Sequence, residues 1–161
     1  MSTVVYTDGA CAGNPGPGGW AWAVAPEGTI SGSGGDARTT NQRMELQAVL
    51  EALRALPGDL TIVSDSTYVV NCFRDRWWVK WQANGWKNSK KEPVANTDLW
   101  KPLVALVQER RPAFRWVKGH SGDPMNDLVD RLAVVASKGP FDEPPAPCES
   151  AAPSPAQTSL F

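Results

Sequence analysis

The side chains of this sequence best suited to chemistry are four acids and one histidine: Asp8, Glu45, Asp65, Asp130 and His120. Asp8 directly follows Thr3–Thr7, a β-rich stretch that carries Val4 and Val5, and Asp65 follows the apolar run Leu60-Thr61-Ile62-Val63. Open α/β sheets build their sites outside the carboxyl ends of strands. Taken singly, Asp8 also reads as a turn residue before Gly9, and Asp65 as a helix N-cap in competition with Ser66. Taken together they imply more. Two adjacent central strands that both end in aspartate bring like charges within a few ångströms, which calls for a bound divalent cation.

Glu45 is conspicuous for a different reason. At 100° per residue, Val49, Ala52, Leu53 and Leu56 form one stripe of a helix, and Glu45 falls inside it, whereas Arg43, Gln47, Glu51 and Arg54 fall opposite. An inward carboxylate costs several kcal/mol unless a cation or proton compensates it. Its place one turn from the helix start offers a milder account, in which the dipole and solvent stabilise it. Asp130 is weaker. The apolar face of its helix is Leu128, Leu132 and Val135, flanked by Val129 and Ala136, so periodicity turns Asp130, Asn126 and Asp127 toward solvent. His120, the only histidine, lies in Lys118-Gly119-His120-Ser121-Gly122 between the last strand and the last helix. Such a loop histidine is often incidental, but this one also sits at a strand's carboxyl end.

Carboxylates with so few histidine or cysteine partners prefer Mg²⁺ or Mn²⁺ to zinc. Two such ions about 4 Å apart form the general apparatus for in-line displacement at a phosphodiester, one activating water and the other stabilising the leaving oxygen.

The elements that must position these groups follow from patterning. Strands are expected at Thr3–Thr7, Trp20–Ala25, Gly28–Ser33, Leu60–Ser64 and Ala113–Val117, with a hairpin turn at Pro26-Glu27. Helices are expected at Asn41–Leu56, closed by Pro57-Gly58, from near Ser66, from an N-cap at Thr97 to near Arg110, and over Pro124–Ser137. Three early strands followed by strand, helices, strand and helix imply a mixed α/β sheet with helices on its faces. The loop Asp8–Gly19 is rich in glycine and proline. It lacks the Gly-Lys-Ser/Thr ending of a phosphate cradle, and Pro15 and Pro17 offer no N–H donors, so it reads as a rigid turn.

Composition sets the bounds. The 161 residues make one domain's worth, 42% hydrophobic and 20% charged, which suits a globular chain. The net charge of −1 excludes a uniformly basic nucleic-acid coat but not a local patch. No apolar run approaches the roughly 18 residues of a membrane span, and Met1–Tyr6 lacks the basic start of a signal peptide. Cys11, Cys72 and Cys148 form neither a disulfide framework nor a zinc site, so free thiols and a cytoplasmic location are expected. From Gly139 to Phe161, six prolines among small and acidic residues imply a disordered tail after a domain spanning 1–138.

A local patch does exist. Residues 74–91 hold six cations against Asp75, a local +5 that leaves −6 for the remainder. Trp77, Trp78, Trp81 and Trp86 interleave with the cations. Flat aromatics among amines suit a nucleic-acid backbone and its sugars. The same tryptophans could form an accessory core that the charges merely solvate, and both readings can hold at once.

These residues resemble a known family. Tyr6-Thr7-Asp8-Gly9-Ala10-Cys11 and Gly13-Asn14-Pro15-Gly16-Pro17-Gly18-Gly19 are similar to the opening of bacterial type 1 ribonuclease H. Thr40-Asn41-Gln42-Arg43-Met44-Glu45-Leu46, Ser64-Asp65-Ser66 and Trp116-Val117-Lys118-Gly119-His120-Ser121-Gly122 resemble its later blocks, in order, over about residues 3 to 137. The resemblance implies a five-stranded mixed sheet whose first three strands are antiparallel. It implies endonucleolytic hydrolysis of the RNA strand of RNA–DNA hybrids, leaving 5′-phosphate and 3′-hydroxyl ends. It also implies two Mg²⁺ ions, replaceable by Mn²⁺, on Asp8, Glu45, Asp65 and Asp130. His120 becomes a proton shuttle or an aid to product release. Minor-groove reading through 2′-hydroxyls falls on Cys11 (through its backbone), Asn14, Asn41 and Gln42, and a DNA-phosphate pocket on Arg38, Thr40 and Asn96. Trp77, Trp81 and Trp86 take the aromatic positions of a basic protrusion, with Lys87 beside them.

Two features depart from that pattern. Gln82-Ala83-Asn84 is neutral where some relatives are strongly basic, which implies weaker hybrid affinity or a larger share for Lys87, Lys90 and Lys91. The tail ends in Gln157-x-x-Leu160-Phe161, similar to the short motif by which bacterial proteins bind the replication sliding clamp. A monomer is expected. The alternatives are a non-catalytic binder of hybrid or double-stranded RNA, and a DNA-cutting nuclease of the integrase or transposase type.

Overall fold

A computed structural model describes residues 2–141. The tail beyond Phe141, including Cys148, Gln157, Leu160 and Phe161, lies outside the described residues. β1 (Thr3–Cys11), β2 (Gly16–Val24) and β3 (Ser31–Thr39) form an antiparallel meander. α1 (Asn41–Ala55) leads to β4 (Leu60–Ser64), which pairs in parallel with β1. α2 (Thr67–Arg74), α3 (Trp77–Asn84) and α4 (Thr97–Arg110) precede β5 (Ala113–Trp116), parallel to β4, and α5 (Pro124–Ser137) follows. The strand order is β3-β2-β1-β4-β5, the five-stranded mixed sheet expected. No described helix is long and apolar enough to cross a membrane.

Side chains alternate across the sheet. Val5, Trp22 and Ile62 join Leu46, Leu50, Leu53, Leu103 and Val104 in the larger core on one face. Tyr6, Ala21, Ala23 and Val63 meet Val129 and Ala133 of α5 on the other. Each fully buried leucine contributes about 1.5–3 kcal/mol of burial, so α1, with three of them, anchors the first face.

The glycine- and proline-rich stretch is mostly strand rather than loop. β1 runs on to Cys11 and β2 starts at Gly16, which leaves residues 12–15 as the connection. The cause is α5. A Cβ at Gly19 would lie 2.2 Å from the Ala133 carbonyl oxygen and 2.6 Å from the Ser137 nitrogen, so this strand is bare where the helix backbone presses on it. β3 likewise extends beyond Ser33 to Thr39, because the Trp22 and Trp20 indoles lie across Gly32 and Gly34.

The caps differ in two places. Ser66, not Asp65, caps α2, its hydroxyl accepting from the Val69 N–H at 3.2 Å, which leaves the Asp65 side chain uncommitted to the helix. Asn96 rather than Thr97 occupies the cap of α4, in the left-handed region at φ 63°, and its Oδ1 accepts instead from Arg43 at 3.2 Å.

Candidate active site

Parallel pairing of β1 with β4 aligns Thr7 with Ser64, so the residue after each is an aspartate, Asp8 still within β1 and Asp65 just past the end of β4. α1 supplies the third acid. A Cβ at Gly9 would stand 2.5 Å from the Glu45 backbone nitrogen and from the Met44 carbonyl carbon, so only glycine lets α1 come this close to β1. One carboxylate oxygen from each of Asp8, Glu45 and Asp65 lies within 4.8 Å of the others. Asp8 is 4% and Glu45 7% exposed, and Asp65 is half-buried.

No cation among the described residues pairs with this trio, and its protonation reflects that. Burial, then the Asp65 charge, pushes the Asp8 carboxyl up to about 8, against the Glu45 hydrogen bond and the Gly9 amide that hold it down. Burial, then the Asp8 and Asp65 charges, raises Glu45 well above the usual range. Asp65 is raised chiefly by its burial. Glu45 Oε1 is buried without a hydrogen-bond partner among the described residues. An all-oxygen donor set with raised proton affinity and an orphaned carboxylate oxygen fits a hard divalent cation, which supplies the positive charge that protons otherwise provide.

Asp130 stands apart from the tight group of three, half-buried on α5. It is not the solvated surface acid that periodicity implied, since its charge raises both Asp8 and Asp65. The buried stripe of α5 is Asn126, Val129, Ala133 and Ser137, and Val135 is 67% exposed. The helix docks through its small residues because Gly19 admits its backbone, and that roll brings Asn126 and Asp130 toward the acids. Asn126, 2% exposed, faces the Asp65 carboxyl and works against the rise in its proton affinity. Sequence reading placed it with the solvent-facing residues; its signal was a polar side chain in the first turn of the helix that follows the His120 loop.

His120 is exposed and holds φ 55°. Its loop touches the cluster, since a Cβ on Gly119 would lie 2.8 Å from Asp65 Oδ2, and its charge acts on Asp65. The Trp116 indole N–H donates to the Asp65 carbonyl at 3.2 Å, another contact not foreseen from sequence.

The residues matched to substrate contacts fall into two groups. Asn14 Oδ1 accepts from the Asn41 N–H at 3.1 Å, which ties the 12–15 connection to the start of α1. Thr40 caps α1 through the Arg43 N–H, Cys11 Sγ lies 3.4 Å from the Thr39 carbonyl, and Arg38, Asn41 and Gln42 are exposed. Arg43 clamps Asp98 with two hydrogen bonds, of 2.9 and 2.6 Å, and so holds Asn96 beside Thr40's helix. In the basic segment, Trp81 packs edge-on against buried Trp100 at 5.3 Å and lies 6.3 Å from Trp77 and 5.9 Å from Trp86. The tryptophans are therefore half-buried packing residues that also present ring surface. A cleft of about 330 Å³ there is lined by Trp77, Lys80, Trp81, Lys87, Asn88 and Ser89.

Known proteins resemble the chain throughout this region. The RNase H family model matches residues 1–138. Ribonuclease H of Syntrophomonas wolfei is 52% identical over 139 residues, 84% of this chain and 95% of that protein. Ribonuclease H of Nitratidesulfovibrio vulgaris is 51% identical over 149 residues, covering 90% and 96%. Among solved structures, LC9-RNase H1, a type 1 RNase H with the type 2 active-site motif, superimposes with a TM-score of 0.72 at 31% identity, covering 84% of this chain and 72% of that one. A foamy viral protease-reverse transcriptase in complex with RNA/DNA hybrid gives a TM-score of 0.74 at 25% identity over 84% of this chain and 20% of that one. With Asp8 inside β1, Asp65 just past β4 and Glu45 on α1 brought together, and its relatives matching along nearly the whole described length, this chain belongs to the ribonuclease H family, as a bacterial type 1 member and a nuclease hydrolase.

Proposed function

We propose that the chain is an endonuclease that hydrolyses the RNA strand of RNA–DNA hybrids by in-line attack of water, leaving 5′-phosphate and 3′-hydroxyl ends. The observation that carries the reading is the convergence of Asp8, Glu45 and Asp65 within 4.8 Å, without a paired cation among the described residues. A pure binding module gains nothing from clustered negative charge beside phosphates. The foamy viral relative, a protein seen with RNA/DNA hybrid bound, supports the substrate class.

Asp8, Glu45, Asp65 and Asp130 would hold a pair of Mg²⁺ ions, with Mn²⁺ as a substitute. When bound, such ions supply an activated water and stabilise the leaving 3′-oxygen. The chain's own residues do the rest. Asp8 and Glu45, buried and backed by the sheet and α1, fix the cluster's shape with little freedom to reorganise. His120, exposed on a loop that touches Asp65, has the freedom to carry a proton away or help the product leave. Cys11 (through its backbone), Asn14, Asn41 and Gln42, grouped where the 12–15 connection meets the start of α1, would read the RNA 2′-hydroxyls. Arg38, Thr40 and Asn96 would receive a DNA phosphate. Trp77, Trp81 and Trp86, with Lys87, would carry the DNA strand. We further propose a cytoplasmic monomer, with the chain end at Gln157, Leu160 and Phe161 as a sliding-clamp ligand.

Duplexes of RNA–DNA, RNA–RNA and DNA–DNA with each strand labelled separately test this reading. Cleavage confined to the RNA of the hybrid, with fragments that a ligase rejoins directly, is expected. Cleavage of a DNA strand would favour the integrase-like alternative, and hybrid binding without cleavage in either Mg²⁺ or Mn²⁺ would favour a binding module.

A further inference from the structure

The first turn of α5 carries a buried polar group that the catalytic scheme does not use. Asn126 is 2% exposed, and its Oδ1 has no hydrogen-bond partner among the described residues. Its side chain faces the Asp65 carboxyl closely enough to hold that group's proton affinity down. A carboxamide has that effect by presenting its N–H side, because a carboxylate only accepts. The nitrogen and Oδ1 belong to one planar carboxamide, so an oxygen whose nitrogen faces Asp65 sits at the rim of the acidic cluster. A buried acceptor left without a donor costs about 1–3 kcal/mol.

The turn is also braced. Asp123 Oδ1 accepts from the Met125 N–H at 3.0 Å and the Asn126 N–H at 3.3 Å, and Asp123 Oδ2 accepts from the Tyr6 hydroxyl at 2.9 Å. Arg115 in turn donates to the Tyr6 oxygen at 3.3 Å. A chain of contacts from β5 through β1 thus fixes the residue next to Asp65. An apolar residue at this position would fill the same space without an orphaned acceptor.

We propose that Asn126 is a positioning residue for the cation centre: its amide steadies the Asp65 carboxylate, and its buried oxygen accepts a hydrogen bond from the hydration shell of the divalent ion. The inference rests on the metal-dependent reading above. Groups that orient a ligating carboxylate alter metal affinity by about 10–100-fold when removed.

Mn²⁺ titration of the metal-free full chain, read by electron paramagnetic resonance of the free ion, tests it on Asn126→Ala and Asn126→Ser. Thermal unfolding in chelator is measured alongside. The expected result is Mn²⁺ binding weakened about tenfold or more in both variants, with the chelated midpoint little changed and hybrid cleavage recovering at high Mn²⁺. Titration curves that superimpose on the parent's would overturn the proposal. Loss of the metal-free fold in both variants would overturn it too, since Asn126 would then be structural. If the parent chain itself binds no Mn²⁺, the metal-dependent reading fails instead, a result visible before any variant is made.

Discussion

Thr7 and Ser64 are register partners across the parallel β1–β4 ladder, and each is followed by an aspartate. The site is therefore a consequence of strand pairing. Asp8 and Asp65 cannot separate without breaking the ladder between the two central strands, and Glu45 cannot withdraw while Gly9 lets α1 rest on β1. The fold enforces a repulsion that protons relieve in the absence of a cation.

That repulsion makes the metal-free protein pH-sensitive. Asp8 is raised from 3.8 to about 8, so between those limits the folded chain keeps a proton that the unfolded chain releases. Stability then falls as pH rises through that window, because the native state binds more protons. In chelator, the thermal midpoint of the parent is expected to drop from pH 5 to pH 8 more steeply than that of Asp8→Asn. Equal slopes would show that Asp8 is not the group responsible.

Gly9→Ala places a Cβ 2.5 Å from the Met44 and Glu45 backbone, which is main chain and cannot swing aside. Overpacking of this kind costs about 1–3 kcal/mol, and here it also lifts Glu45 off the cluster. Urea unfolding and Mg²⁺ titration of the same variant should both deteriorate. A variant of unchanged midpoint would show that α1 has room to move.

Trp81→Ala and Lys87→Ala separate packing from phosphate contact. Trp81 is half-buried against Trp100, so its truncation should cost about 2 kcal/mol, below the ~3–5 of a fully buried tryptophan, and raise KM with kcat retained. Lys87 is exposed, and its loss should leave stability alone while reducing the salt slope of hybrid binding by about 1. A Trp81 variant with unaltered hybrid affinity would restrict that ring to packing.

Asp123→Ala removes the cap of α5 and the acceptor for Tyr6 together. A stability loss of about 1–2 kcal/mol is expected in chemical denaturation, with weaker metal binding because the turn bearing Asn126 loosens. Wild-type metal affinity at reduced stability would show that the brace does not extend to the site.

A mixed sheet with helices on its faces and Glu45's inward position were legible in the patterning, because period-2 and period-3.6 signals survive wherever a face is buried against bulky residues, whereas the antiparallel opening of all three first strands came from the family resemblance. The reading failed where small residues meet. α5 rolls onto Ala133 and Ser137 rather than Leu128 and Leu132 because Gly19 admits its backbone, and periodicity weighted by hydrophobicity cannot detect a contact made of small side chains. Asn126 and Asp130 were turned outward for that reason. The strand ends at Cys11 and Gly16 were hidden in the same way by glycines that serve close approach rather than turning. Ser66 against Asp65 was a local choice between two capping residues, settled by the Ser66 hydroxyl meeting the Val69 N–H while β4 pairing sets Asp65 beside Asp8.

The central claim, that the converging carboxylates hold divalent ions to cut RNA paired with DNA, is tested most directly by Asp65→Asn. Hybrid cleavage of a strand-labelled duplex is measured for the parent and the variant with Mg²⁺ and with chelator, after circular dichroism confirms that both are folded. The account predicts RNA-strand cleavage by the parent that chelator abolishes, and none above background by the folded variant in either condition. Near-parental cleavage by folded Asp65→Asn, or parental cleavage that persists in chelator, would contradict it.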